Sequence, residues 1–527
     1  MVAVSPSRTL GFLLAAALLG ACGGGGPDKS FGSTPTRPLL PEAWRPSGRA
    51  AAGDVLVHLF EWPWPDIATE CEQVLGPAGV ALVQVSPPQE HSITPSHDWS
   101  ERYQPVSYSL ARSRSGTEAQ FVDMVTRCKA AGVGIVVDAV INHMTNFPSP
   151  GVGSAGTAYS RKDYPGLWTS ADFHPGCGIS NYGNAAEVQD CDLFGLPDLN
   201  TGLASVRQRL AQYLIDLAHL GVAGYRIDAA KHIQQVELDS IMGIVNSTLA
   251  GEGKPRPYLF LEVSGSPGEA LQEHHYYGVG YASGGAADIT EFTFTGVASK
   301  FMNLNGERIS DLNPTGPAGH QFSETAWGIM PSAKALVFLQ NHDTQRNCSM
   351  GYQSGDRFRL ANAWMLAQPY GFPSVLSGYA FNCPGGTSMG PVSDGQGWTL
   401  PVTCAASFEA AQVGQWTCEH RDPSVRMMVG FRKLAAGKPV TNWWDDGLDA
   451  IAFGRGSVGF VAINGNATAL TDTLATSLPA GDYCDLLTGG KVGNACAGTT
   501  LTVDGAGALP VDLAPRTAVA IDTATKL

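Results

Sequence analysis

The sequence predicts an α/β chain: a (β/α)8 barrel with a small domain inserted after its third strand, followed by a C-terminal antiparallel β-sandwich. Three observations carry that prediction. Short apolar runs alternate with helix-like stretches over most of the chain, a polar residue closes nearly every run, and beyond about Leu434 the helical spacing gives way to short strands with Gly-rich turns. Repeated βα units imply a parallel sheet. Polar residues gathered at strand ends favour a barrel, whose site is lined by the carboxyl ends of its strands, over an open sheet.

In chain order, residues 1–22 read as an export signal. Arg8 supplies the positive start, and Leu10 to Leu19 form an apolar stretch too short for an ordinary membrane span. The sequence Leu19-Gly-Ala-Cys22 resembles the bacterial lipoprotein signal, which implies lipidation at Cys22. Residues 23–48, rich in Gly, Pro, Ser and Thr, read as a flexible tether. The expectation is an exported protein, lipid-anchored to the bacterial cell envelope or else secreted. Gly23 rather than Asp after the lipidated Cys leans toward the outer membrane, by analogy.

The catalytic barrel is expected over 49–435, with strands at 55–60, 80–85, 134–139, 224–227, 258–262 and 335–340 and helices at 120–131 and 206–220. After Asn142 the rhythm breaks for some fifty residues of Gly, Pro, Tyr and Asn, far longer than the roughly 15 residues beyond which a loop is usually functional. Residues 144–198 therefore read as an inserted domain over the barrel mouth. Strands at 450–453, 459–463, 481–486, 500–503 and 518–521 place the sandwich at 436–527. No further domain is expected after Leu527.

Composition excludes several classes. The chain has 527 residues with a net charge of −14, so it offers nothing to neutralise phosphates and nucleic acid is not an expected partner. Charged residues make up 15%, against about 25% in an average chain, and hydrophobic residues 44%, which excludes a charge-driven disordered protein. Setting Cys22 aside from 11 cysteines leaves an even number, none in C-x-x-C spacing, which in an exported chain points to disulfides rather than metal. Proximity suggests Cys177–Cys191, Cys404–Cys418 and Cys484–Cys496. The rest would pair as Cys71–Cys128 and Cys348–Cys383, although sequence alone does not fix connectivity.

Four strand ends carry the chemistry: Asp138-Ala-Val-Ile-Asn142-His143, Gly224-Tyr-Arg226-Ile-Asp228-Ala-Ala-Lys231-His232, Phe260-Leu-Glu262 and Phe338-Leu-Gln-Asn341-His342-Asp343. Each alone reads equally well as the cap of a following helix. Together they bring three acids, Asp228, Glu262 and Asp343, to three strand ends beside His143, His342 and Arg226. Converging carboxylates with His and Arg suit glycosidic-bond cleavage better than a metal cluster.

In order and spacing these segments resemble the conserved regions of the α-amylase family of glycoside hydrolases, closest to the animal-type members and their bacterial relatives. Further matches are Val57-His-Leu-Phe-Glu-Trp62, Val83-Gln-Val-Ser-Pro-Pro88, Glu101-Arg-Tyr-Gln-Pro-Val106, Gly221-Val-Ala-Gly-Tyr-Arg-Ile-Asp228 and Asn442-Trp-Trp-Asp445, so the likeness runs from about Asp54 to Leu527. The resemblance implies endo-hydrolysis of α-1,4-glucosidic bonds in starch, glycogen and related α-glucans, with retention. Asp228 would be the nucleophile, Glu262 the acid/base, and Asp343 the holder of sugar hydroxyls. Desolvation at the end of an apolar strand is expected to raise the Glu262 pKa, and Arg226, on the same strand face as Asp228, to keep the nucleophile ionised. Tyr103 would stack on the sugar, with Gln104, His143 and His342 also on the substrate. Lys231 and His232 would line the leaving side, a pair that sibling transglycosylases usually lack.

The resemblance also implies Ca²⁺, held by the side chains of Asn142 and Asp198 and the main chain of Gln189 and His232; oxygen donors suit a hard cation. Many animal-type relatives bind an activating chloride. Arg226 and Asn341 match that site, but Ser374 stands where a second Arg is expected, so no chloride is predicted. Ser100 follows Trp99 where the family carries paired Trp, which removes one stacking platform. Trp62, Trp64, His274 and His275 read as loop or core residues, and Phe121, Val122 and Val125 as helix core. Two other readings remain open: an α-glucan transglycosylase or maltogenic sibling, against which Lys231-His232 stands, and a non-catalytic starch-binding surface lipoprotein, which would not need all three acids. The chain is expected to be a monomer.

Overall fold

The computed structural model describes residues 53–284 and 286–527; the signal, Cys22 and the tether lie outside them. Eight parallel strands close into a barrel in sequence order: β1 (Leu56–Leu59), β2 (Leu82–Val85), β3 (Gly134–Ala139), β4 (Gly224–Ile227), β5 (Tyr258–Leu261), β6 (Asp288–Thr290), β7 (Ala335–Val337) and β8 (Phe372–Ser377), the last pairing with β1. Six match the predicted runs, and two were not anticipated. β6 is three residues long and begins with Asp, and β8 carries Pro373, which removes a ladder donor and reads against a strand.

Strand periodicity divides each strand between two environments. In β3, Ile135, Val137 and Ala139 join the outer core beneath the helices, while Val136 packs in the lumen with Leu56, Leu82, Tyr258 and Phe260. Two residues further along, the lumen parity falls on His58, Gln84, Asp138 and Arg226. The strand register sets His58 opposite Gln84 and Asp138 opposite Arg226. An apolar plug therefore carries a polar layer at the carboxyl ends. Gly224 is required here: a Cβ would stand 2.7 Å from the Tyr258 carbonyl oxygen.

The surrounding helices include α1 (Trp64–Glu70), α2 (Glu118–Ala130), α4 (Ala204–His219), α5 (Gln235–Gly251), α6 (Val297–Met302), α7 (Asp356–Ala367) and α8 (Pro423–Leu434). Thr117 and Gln120 form a capping box on α2, and Phe121 and Val125 on its inner face are buried. Trp62 and Trp64 are buried core residues, whereas the turn holding His274 and His275 is partly exposed. Between β3 and α4 the chain forms short hairpins and α3 (Ala185–Asp190), returning to the barrel where Leu199 N–H donates to Asn142 O at 3.0 Å.

The C-terminal part is an antiparallel sheet of β9 (Val440–Asp445), β10 (Ala450–Arg455), β11 (Gly459–Asn464) and β16 (Thr517–Asp522). It is faced by the pairs β12 (Leu470–Ala475) with β15 (Ala508–Leu513) and β13 (Gly481–Cys484) with β14 (Thr500–Val503). Phe460, Leu474, Tyr483, Leu509, Val511 and Ile521 pack between the layers. β9, β12 and β15 were not anticipated; their apolar residues alternate with Thr, Asp, Asn and Pro, so they form no continuous run. Disulfides join Cys71–Cys128, Cys177–Cys191, Cys348–Cys383, Cys404–Cys418 and Cys484–Cys496.

Candidate active site

Arg226 organises the mouth of the barrel. Its Nη1 lies 2.5 Å from Asp138 Oδ1 and 2.9 Å from Asp228 Oδ1, and its Nη2 lies 2.9 Å from Glu262 Oε1. Glu262 also accepts from Ala229 N–H at 2.7 Å. Asp138 further accepts from Tyr103 Oη at 2.9 Å and Gln84 Nε2 at 3.3 Å. One buried guanidinium thus faces three carboxyl groups, and this excess of negative charge has a consequence. Burial pushes Asp228 well above the ordinary carboxylate range; Arg226 opposes the rise, and Glu262 and Asp138 add to it. Asp138 is raised for the same leading reason, burial. Asp343 keeps a third of its side chain open to the cleft, yet is raised by burial within the cleft walls and by Glu262.

Aromatic rings frame the carboxylates. Tyr103 stacks on His342 at 5.1 Å with the planes 8° apart, and Trp99 packs edge-on to both. Arg346 sits 4.4 Å above the Trp99 ring and donates through Nε to the His342 carbonyl at 3.1 Å. His342 Nε2 lies 3.5 Å from Asp343 Oδ2. Burial holds His342 well below its ordinary pKa, so the ring is neutral. Behind this shell, Arg102 pairs with Glu61 at 2.6 Å, both buried, fixing the turn that presents Tyr103.

Several predicted residues are engaged differently from the simplest expectation. His143, expected on the substrate, places Nε2 3.0 Å from the Tyr103 carbonyl and Nδ1 3.3 Å from Asn142 Nδ2, so it braces Tyr103. Gln104 Oε1 accepts from Thr145 at 3.2 Å. Lys231 is held by Ser264 O at 2.7 Å and by Glu269, and His232 Nδ1 contacts Val188 O at 2.8 Å. Asn341 Oδ1 caps the turn at Asp343, accepting from the N–H groups of Asp343 and Thr344. Glu262 meets two donors, Arg226 and Ala229, which strand position alone did not reveal.

Asp138, His58 and Arg346 were not assigned from sequence. The signal for Asp138 is parity: it lies four residues before Asn142 on a strand whose alternate side chains face the lumen.

The expected cation donors lie along the junction between the barrel and the inserted segment. Asn142 and Asp198 sit on backbone that hydrogen-bonds across the entry and exit of the insertion, and Val188 O meets His232. Asp198 is 1% exposed; Oδ2 lies 2.6 Å from His174 Nδ1, and buried Oδ1 has no partner among the described residues. No cluster of three or more His, Cys, Asp or Glu able to hold a metal occurs among the described residues. The donor set is instead one orphaned carboxylate oxygen, an amide oxygen and carbonyls, which fits a hard, oxygen-seeking cation.

The closed barrel carries carboxylates and aromatic walls at its strand ends, the chemistry of a glycoside hydrolase. Residues 85–380 match the family described as alpha amylase, catalytic domain, and residues 441–524 match the alpha amylase C-terminal all-beta domain. An alpha-amylase of Thermomonospora curvata is 42% identical over 476 residues, covering 88% of this chain and 73% of the relative. An alpha-amylase-related protein of Drosophila bipectinata is 40% identical, covering 86% and 89%. The structure of a mutant alpha-amylase I from Eisenia fetida in complex with maltohexaose superposes with a TM-score of 0.80 at 36% identity, covering 90% of this chain and 98% of that one. The chain belongs to the α-amylase family of glycoside hydrolases.

Proposed function

We propose that this enzyme is an endo-acting α-amylase that cleaves α-1,4-glucosidic bonds in starch, glycogen and related α-glucans with retention of configuration. The observation that carries the reading is Arg226 contacting Asp228 and Glu262 at once. Two carboxyl groups gripped by one guanidinium suit the retaining spacing of about 5–5.5 Å better than the roughly 6.5–9.5 Å of inverting enzymes.

Asp228 attacks the anomeric carbon in its ionised form, the state that Arg226 favours against burial and the neighbouring carboxyl groups. Three carboxyl groups around one cation favour keeping a proton within the cluster. Glu262, more exposed than Asp228 at 20% against 11%, is positioned to protonate the leaving oxygen and later to draw a proton from water. Asp343 binds ring hydroxyls, and the stacked Tyr103 and His342 form the wall against which the sugar distorts. Asn142, Asp198 and the main chain of Gln189 and His232 would hold calcium, which supplies charge that fastens the inserted segment to the barrel. The protein is further read as an exported lipoprotein anchored through Cys22 and working as a monomer; radiolabelled palmitate incorporation, lost in Cys22→Ala, tests the anchor.

The deciding experiment follows starch hydrolysis by the full chain and by Glu262→Gln, reading reducing ends and iodine colour together. Early loss of iodine colour in the parent and a fall of at least about 10³-fold in the variant is the expected result. Starch binding without cleavage by either protein would overturn it.

A further inference from the structure

None of the carboxylate cluster lines a second cavity of about 250 Å³ where α4 meets the inserted segment and the chain that follows Tyr103. Its floor is a stacked pair, Tyr108 and Tyr213, with ring centroids 4.5 Å apart and planes 21° apart, flanked by Leu167. Its rim is polar. Arg209, Gln212 and Asp216 project from successive turns of one α4 stripe, all exposed, and Gln212 Nε2 donates to Asp216 Oδ1 at 2.8 Å. Arg209 lies 5.4 Å over Trp168, which packs edge-on to Tyr108 at 6.4 Å. Beside this wall are two donors, Tyr108 Oη and Trp168 Nε1, buried with no hydrogen-bond partner among the described residues.

This chemistry selects its ligand. An aromatic floor accepts the C–H face of a ring, and planar polar side chains on the rim accept and donate to hydroxyl groups. The rim carries one cation and one anion, so it gives an ionic ligand no net attraction, while its guanidinium, amide and carboxylate groups can pair with the hydroxyls of a neutral sugar. The volume falls below the roughly 300–1,000 Å³ of sites for drug-sized molecules, which suits a short piece of a longer chain.

The cavity is also tied to the cleft. Tyr108 follows Tyr103 by five residues, a backbone reach of at most about 18 Å. Tyr213 Oη donates to Gln89, whose Nε2 donates to the Arg102 carbonyl at 3.1 Å.

We propose that this cavity is a second, non-catalytic site that takes one or two glucosyl units of an α-glucan polymer; the inference rests on the α-glucan reading of the cleft. Holding part of a polymer so near the carboxylates raises the local concentration of its other segments without strengthening any contact in the cleft.

The test counts binding sites. Maltoheptaose is titrated calorimetrically into the full chain carrying Glu262→Gln, then into the same chain with Arg209→Ala, Gln212→Ala and Asp216→Ala added, and separately with Tyr108→Ala added. Two sites in the parent and one in each variant are expected. One site in the parent that survives in the variants, or two sites throughout, would overturn the proposal. A single site lost in the triple variant would uphold the cavity and count against the cleft. If Tyr108→Ala does not fold, the three exposed positions decide the question alone. Residual starch cleavage by Glu262→Gln would mark a failure of the catalytic reading and leave the site count standing.

Discussion

Asp138 and Arg226 are register partners on adjacent barrel strands, and Arg226 Nη1 donates to Asp138 Oδ1 at 2.5 Å. Asp138 is buried and also accepts from Tyr103, so it orients both the guanidinium beside the nucleophile and a ring of the sugar wall. Asp138→Asn keeps the shape but loses the charge. Hydrogen bonds to charged groups are worth about 1.5–3 kcal/mol, so kcat/KM should fall about 10- to 100-fold. Asp138 raises Asp228, so its removal should move the acidic limb of the pH profile to lower pH.

Arg226→Gln should move that limb the other way. The guanidinium lowers the Asp228 pKa, and without it the nucleophile ionises only at higher pH. Breaking a buried pair costs about 3–5 kcal/mol, which sets the loss of kcat/KM at about 10²-fold or more. A pH–rate series on the two variants checks the opposed shifts; shifts of the same sign would refute the assignment.

Glu419 offers a stability test away from the cleft. It is 1% exposed, and burial pushes its pKa from 4.5 to about 7 against the opposing pull of the neighbouring Thr417 and Ser377 hydroxyls. The folded state therefore holds a proton that the unfolded chain releases, and stability falls as pH rises from about 4.5 to about 7. The shift corresponds to about 3 kcal/mol above pH 7. Glu419→Gln should melt higher than the parent at about pH 8, with the advantage fading toward about pH 4.5; melting curves across that range decide it.

Calcium removal should lower the melting temperature, and added Ca²⁺ should restore it, because a ligand bound only by the folded state stabilises by about 4 kcal/mol at 1,000 times its Kd. Asp198→Ala, which removes the side-chain oxygens, should abolish the restoration and the bound calcium measured by elemental analysis. A variant that still binds one calcium per chain would exclude Asp198 as a ligand.

The disulfides should rank by the span they close. Cys71–Cys128 separates its partners by 57 residues and Cys484–Cys496 by 12, which the chain-entropy argument converts to about 4 and about 3 kcal/mol. Paired Cys→Ser variants compared by denaturant midpoint should reproduce that order.

Strand-end polar residues made Asp228, Glu262 and Asp343 legible, because a short apolar run closed by an acid is a local pattern. Helix α2 was legible through its apolar spacing, although its start at Glu118, set by the Thr117–Gln120 capping box, was placed two residues late. β6 and β8 were not, since one is three residues long and the other holds Pro373, and pairing on both sides supplies the stability their own sequences lack.

The sequence by itself determined which residue types stand at each strand end and that the chain alternates strand and helix, because both follow from local periodicity. Only the tertiary structure decided how those residues are used. It set Asp138 opposite Arg226, turned Arg226 toward three carboxyl groups at once, committed His143 to bracing Tyr103, and joined Tyr108 to Tyr213 in one wall. Barrel closure and strand register are long-range properties, and the charge balance of a buried cluster depends on which groups they bring within hydrogen-bond reach.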